Sequence, residues 1–173
     1  MDRGNDFLKT QIHTAVVHHK AFLKALEDHE AQAEDPRFRD LCTRYIATMR
    51  EHQRMLEDYQ SELGAPSAGT LKRAASATVT AARDLADAAR ESDYQRLVGD
   101  RLMSHYAEDA FKTFRDAGRS LGLRHLADLG ETGDRDHESY NRDADRLAQQ
   151  MFVEGARKEG LSATLTARPN ILI

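Results

Sequence analysis

The sequence predicts an all-α protein, and three observations carry that prediction. Twenty-five of the 173 residues are alanine, tryptophan is absent and charged residues make up 31%, a composition that favours helix over a β-sandwich or a collagen-like chain. Only three prolines occur, Pro36, Pro66 and Pro169, and each falls at a joint, so long stretches are free of the strongest helix breaker. Within those stretches apolar residues recur at steps of three and four, which is the spacing of one helical face.

The first helix, from about Asn5 to Ala33, places Leu8, Ile12, Val16, His19, Leu23 and Leu26 on one face before EDPR ends it. A second, from about Arg37 to Leu63, carries Phe38, Leu41, Tyr45, Met49, His52, Leu56, Tyr59 and Leu63. Gly64 and Pro66 stop it, a glycine cap followed by a residue that cannot continue the helix. The short joint around Pro36 pairs these two as an antiparallel hairpin. An alanine-rich stretch over about 70–90 offers only a thin stripe of Leu71, Ala75, Thr78, Ala82 and Leu85, so it reads as a crossover helix. Ser92 is suited to cap a longer helix ending at Leu121 and Gly122, with Met103, Tyr106, Ala110, Phe114, Ala117 and Leu121 inward. The last helix runs from about Arg124 to Ala156 with Leu126, Leu129, Gly133, His137, Tyr140, Ala144, Leu147 and Met151 on one face. Gly130 and Gly133 weaken its early turns, which permits a bend or a close helix contact. The domain reading is a bundle over 1–157 and a tail over 158–173 that either docks on a partner subunit or is disordered, its apolar ending favouring docking.

A chain of this length buries roughly 68–70% of its unfolded surface, so neither metal nor disulfide is needed for folding. Basic and acidic residues number 25 and 29 for a formal net charge of −4, and their signs interleave, which leaves no nucleic-acid footprint. No apolar run reaches about 18 residues and MDRGNDFLKT lacks the apolar centre of a secretory signal, so a cytoplasmic protein is expected rather than an exported or membrane-spanning one. The single cysteine, Cys42, has no CxxC partner and reads as a small core residue. P-loop and nucleophile-elbow motifs are absent, which argues against nucleotide chemistry and nucleophilic hydrolysis.

Polar residues on an apolar stripe are the informative exceptions, and His19, His52 and His137 each sit near the centre of an inward face, with the other five histidines read as flankers. Counting from the first joint puts His19 and His52 within one helical turn of the same level, and His137 with its neighbour Asp136 lies opposite the stretch from Tyr106 to Ala110. Histidine and carboxylate converging inside a bundle is how such proteins hold iron, manganese or zinc. The candidate ligands are therefore His19, His52, Asp136 and His137, with Tyr45 or Tyr106 as hydrogen-bond partners behind them. The alternative is a metal-free bundle in which tyrosines and buried water satisfy the histidines. The cluster Glu27, Asp28, His29 and Glu30 reads as a solvated helix end from which only Glu30 returns inward.

The stretches HKAFLKALEDHEAQAEDPRFRDL, EHQRMLEDYQSELG, SHYAEDAFKTFRDAGRSLGL and DRDHESYNRDADRLA resemble the stress-associated ferritin-like family typified by the bacterial YciE and YciF proteins, over roughly residues 7–152. The resemblance implies a ferritin-like four-helix bundle of two antiparallel hairpins joined by a crossover helix, a homodimer, and a two-metal carboxylate centre. Against that pattern this chain has His19 for a glutamate, Met49 three residues before His52, and Ala107 where a glutamate follows the tyrosine, with Glu108 expected to point outward. These departures favour a histidine-rich site for one metal, or none. The expected function is a ferritin-like metal-binding protein of stress response with oxidase or peroxide-handling chemistry on an unidentified small molecule. The alternative is a metal-free bundle acting as a dimeric structural or interaction protein.

Overall fold

The computed structural model describes residues 3–64 and 92–160, so the expected crossover over 70–90 and nearly all of the tail over 158–173 lie outside the described residues. Four helices make up these residues: α1 (Arg3–Gln32), α2 (Pro36–Leu63), α3 (Asp93–Leu121) and α4 (Arg124–Lys158). No strand occurs among the described residues. None of their helices is long and apolar enough to cross a membrane.

Local chemistry explains each boundary. Asp35 caps α2, its Oδ1 accepting the Arg37 N–H at 2.9 Å, and Pro36 takes the first helical position, where its missing N–H costs nothing. Gly64 ends α2 at φ 77° and Gly122 ends α3 at φ 70°, left-handed conformations that cost glycine least. At the start of α3 the Gln95 Oε1 accepts the Ser92 N–H at 3.1 Å.

The helices pack as a four-cornered bundle in which α1 contacts α2 and α3, and α4 contacts α3 and α2. Glu30 meets Thr43, His19 meets Gln53 and His13 meets Gln60, so residues late in α1 face residues early in α2. The α2–α4 seam is polar: Arg37 pairs with Glu154, Arg44 with Asp143 and His125 with Glu62. Asp93 ties the start of α3 to the α1–α2 joint, its carboxylate accepting the N–H groups of Glu34 and Asp35 at 2.7 and 2.6 Å. The α3–α4 contact is the closest. A methyl group added at Gly130 would strike the α3 backbone at Arg115 and Phe111, and one at Gly133 would strike the Phe111 ring. Close helix contact, rather than a bend, is thus what those two glycines permit.

The apolar interior falls into two clusters. One, toward the α1–α2 joint, contains Phe22, Leu26, Phe38, Met49, Leu97 and Tyr140 with the buried Cys42. The other, toward Gly64 and Gly122, contains Ile12, Val16, Leu56, Phe111, Phe114 and Leu126. Along α1, α2 and α4 the central histidine falls between the two, as His19 does between Val16 and Phe22.

Two expectations about inward faces are corrected. On α3 the buried face runs through Leu97, Asp100, Ser104, Ala107, Glu108, Phe111, Phe114 and Gly118, whereas Tyr106 is half exposed and Leu121 is exposed. The apolar residues alone set the phase about one residue off, because three of the buried positions are polar. Glu108 accordingly points inward, where Lys112 and the Asn141 amide, at 2.5 Å, hold its carboxylate. On α1 it is His29, not Glu30, that returns to the core: His29 Nδ1 lies 2.9 Å from the carboxylate of the fully buried Asp100. Burial raises the Asp100 carboxyl above its ordinary range, against the pull of His29.

Candidate metal centre

His19 of α1, His52 of α2 and His137 of α4 are each no more than 1% exposed, and one ring nitrogen from each lies within 4.8 Å of the others. Their ring centroids form a nearly equilateral triangle, 6.0 Å from His19 to His52, 5.4 Å from His19 to His137 and 5.6 Å from His52 to His137. Phe111 of α3 packs against all three rings at 5.4–6.0 Å. Phe22 of α1 packs against His19 and His137 at 6.2 and 5.6 Å.

Each histidine has one nitrogen engaged outward. His19 Nδ1 lies 3.0 Å from Gln53 Oε1, His52 Nε2 lies 3.1 Å from Asp136 Oδ2, and His137 Nδ1 lies 2.9 Å from Ser104 Oγ. The second nitrogen of each, His19 Nε2, His52 Nδ1 and His137 Nε2, is buried without a hydrogen-bond partner. The outward partners decide the tautomers. Gln53 donates its amide N–H to Glu57 at 2.7 Å, so its carbonyl oxygen faces His19 and accepts from Nδ1–H. The Asp136 carboxylate can only accept, so His52 carries its proton on Nε2. The free nitrogens of His19 and His52 are therefore buried lone pairs, whereas the Ser104 hydroxyl can donate or accept, so His137 Nε2 is a third lone pair only when Ser104 accepts from Nδ1–H.

Buried acceptors with no donor to pair them are an unfavourable arrangement in a dry interior. A cation resolves it. Metal-bound histidines characteristically give their other N–H to a carboxylate, carbonyl or hydroxyl that fixes ring orientation, and this triad has one such partner for each ring. The electrostatics agree. Burial, reinforced by His52, pushes His19 down to about 3. It also lowers His52 against the pull of Asp136, and lowers His137 well below its ordinary range with help from its two neighbours. All three are thus neutral near pH 7, the form that binds metal.

The structure brings together three of the four expected ligands. Asp136 stands behind His52 instead of beside the converging nitrogens, and its carboxyl is held below the usual range, burial being outweighed by Arg135 and His52. Tyr45 bonds Ser139 and Asp143, and the Tyr106 ring lies tilted against His18 with centroids 4.6 Å apart; neither backs the triad. The residues that do, Gln53 and Ser104, carry a signal visible only in hindsight. Gln53 follows His52 at the helix flank, and Ser104 continues the spacing of four from Asp100 to Glu108.

Among the described residues, the fold and the site together define a four-helix arrangement with a buried three-histidine cluster. Comparison with protein-family models, curated proteins and solved structures finds no match.

Proposed function

We propose that the protein is a metal-binding bundle of the ferritin-like kind, two antiparallel hairpins joined by a crossover, in which His19, His52 and His137 hold one transition-metal ion and Asp136 orients His52. The observation that carries this is the convergence of three unpartnered imidazole nitrogens, each ring anchored from behind. The ferritin-like connection is supported by the positions of Gly64 and Ser92. Gly64 follows the end of α2 where Glu62 meets His125, and Ser92 precedes Asp93 at the α1–α2 joint, so these two residues lie at opposite ends of the bundle. Oxidase or peroxide-handling chemistry in stress response rests on the family resemblance. Homodimer formation does too, supported by Phe7, Tyr106 and Leu121 exposed along an apolar groove of about 840 Å³ between α1 and α3.

Metal analysis of untagged full-length protein, grown with transition metals supplied, tests the reading. One equivalent per chain is expected, and less than about 0.1 equivalent would rule the centre out.

The metal-free alternative is favoured by one observation, the close packing of Phe111 on all three rings. It requires Ser104 to donate to His137, freeing Nε2–H to bond a neighbouring imidazole. No such bond is present in this geometry.

A further inference from the structure

We infer that the triad, on the reading that it holds a metal at all, is built for a monovalent three-coordinate ion, copper(I), in preference to iron, manganese or zinc. Three features converge on this: the donor set, the counter-charge and the space around the converging nitrogens.

The donors are three imidazole nitrogens, which bring no negative charge. Among the described residues no cysteine, aspartate or glutamate joins their group. Nitrogen donors without carboxylate suit copper and zinc better than manganese, which prefers oxygen.

The counter-charge is small. Gln53 and Ser104 are neutral, and Asp136 is the one carboxylate hydrogen-bonded to the triad among the described residues. Its second oxygen, Oδ1, lies 2.9 Å from the Arg135 Nε, so its charge is already shared. Glu108, buried nearby on α3, is occupied by Lys112 and Asn141. A divalent ion would therefore keep an uncompensated positive charge among side chains that water does not reach. Because the cost of burying an ion grows as the square of its charge, a monovalent ion incurs a quarter of that penalty.

The space around the rings is filled largely by aromatic side chains. Phe111 covers all three rings and Phe22 covers two. The small cavity bordering His19, which touches neither His52 nor His137, has a volume of about 10 Å³, at the lower limit for one water molecule. Zinc completes four ligands, in catalytic sites with water, and iron and manganese ordinarily take more. Copper(I), with a filled d shell, is stable with three nitrogen donors.

The test is a competition titration of metal-free, full-length protein under anaerobic conditions, with copper(I) against a chromogenic copper(I) chelator and with zinc(II), iron(II) and manganese(II) against dyes suited to each. X-ray absorption at the copper edge then reports coordination number. Expected are one copper(I) per chain, three light-atom neighbours, and affinity at least about 100-fold above that for zinc. The double variant His19→Leu/His52→Leu, checked for helicity by circular dichroism, should lose this binding while surface histidines remain. A tighter zinc or iron complex, or a copper(I) centre with four or more neighbours, overturns the copper assignment and leaves the metal centre standing. Binding of none of the four ions overturns both. If the double variant does not fold, His137→Asn serves in its place, and copper(I) binding that survives the substitution places the ion elsewhere and overturns the assignment.

Discussion

Ser104 Oγ on α3 lies 2.9 Å from His137 Nδ1 on α4, and both residues are shut off from solvent. This bond links two helices that meet closely because Gly130 and Gly133 leave no side chain between them. It also fixes the His137 ring beside His19 and His52, with Nε2 buried and unpartnered. Replacement of Ser104 by alanine removes the anchor without touching the cluster. Metal affinity is expected to fall about 10- to 100-fold, measured by chelator competition, with helicity unchanged. An unaltered affinity would show that packing by Phe111 alone orients the ring.

The double variant His19→Leu/His52→Leu separates the stability of the metal-free protein from that of the loaded one. In the metal-free state, exchanging two buried polar rings for leucine removes two orphaned nitrogens, so the melting temperature should hold or rise by a few degrees, as seen when buried polar groups yield to apolar ones. The wild type alone should gain stability on metal addition, through linkage. Equal metal-induced shifts in both proteins would place the binding elsewhere.

Acid should unfold the metal-free protein through these histidines. In the unfolded chain a histidine takes up its proton near pH 6.5, whereas folded His19 does so only near 3. The stabilisation is therefore fully present above about pH 6.5 and is lost as pH falls from there toward 3, by up to about 1.4 kcal/mol per pH unit for each such group. His137 acts in the same direction, and His52 does so against Asp136. The raised Asp100 carboxyl works in the opposite sense at the acid end. Urea unfolding between about pH 7.5 and 5 should show a shallower slope for His19→Leu than for wild type; identical slopes would contradict this assignment.

Glycine substitutions should divide by location. Gly130→Ala gains about 1 kcal/mol of helix propensity, but its methyl meets the α3 backbone, and a net loss of about 1–3 kcal/mol is expected from overpacking. Gly155→Ala meets nothing within 4 Å and should stabilise by up to about 1 kcal/mol. Chemical denaturation of the two variants measures both signs.

The helices and their ends were legible in the sequence because they depend on local chemistry: the Asp35–Pro36 start, the glycine stops at Gly64 and Gly122, and the three-to-four spacing of Ile12, Leu56 or Leu126. The three central histidines were legible too, as polar residues interrupting apolar stripes. The inward face of α3 was not. Its buried Asp100, Ser104 and Glu108 look like surface residues until their partners His29, His137 and Asn141 are known, and those partners are 71, 33 and 33 positions away in the chain.

What the sequence alone determined is an all-α chain with histidine at the middle of three helices, since periodicity and capping act within a few residues. Tertiary structure decided that His137 stands level with His19 and His52, because that depends on how α3 and α4 settle against α1 and α2. It also decided that Asp136 backs a histidine while Gln53 and Ser104 anchor the other two. Hydrogen bonds between helices follow from side-chain direction and axial register, and neither quantity is carried by the spacing of residues along one helix.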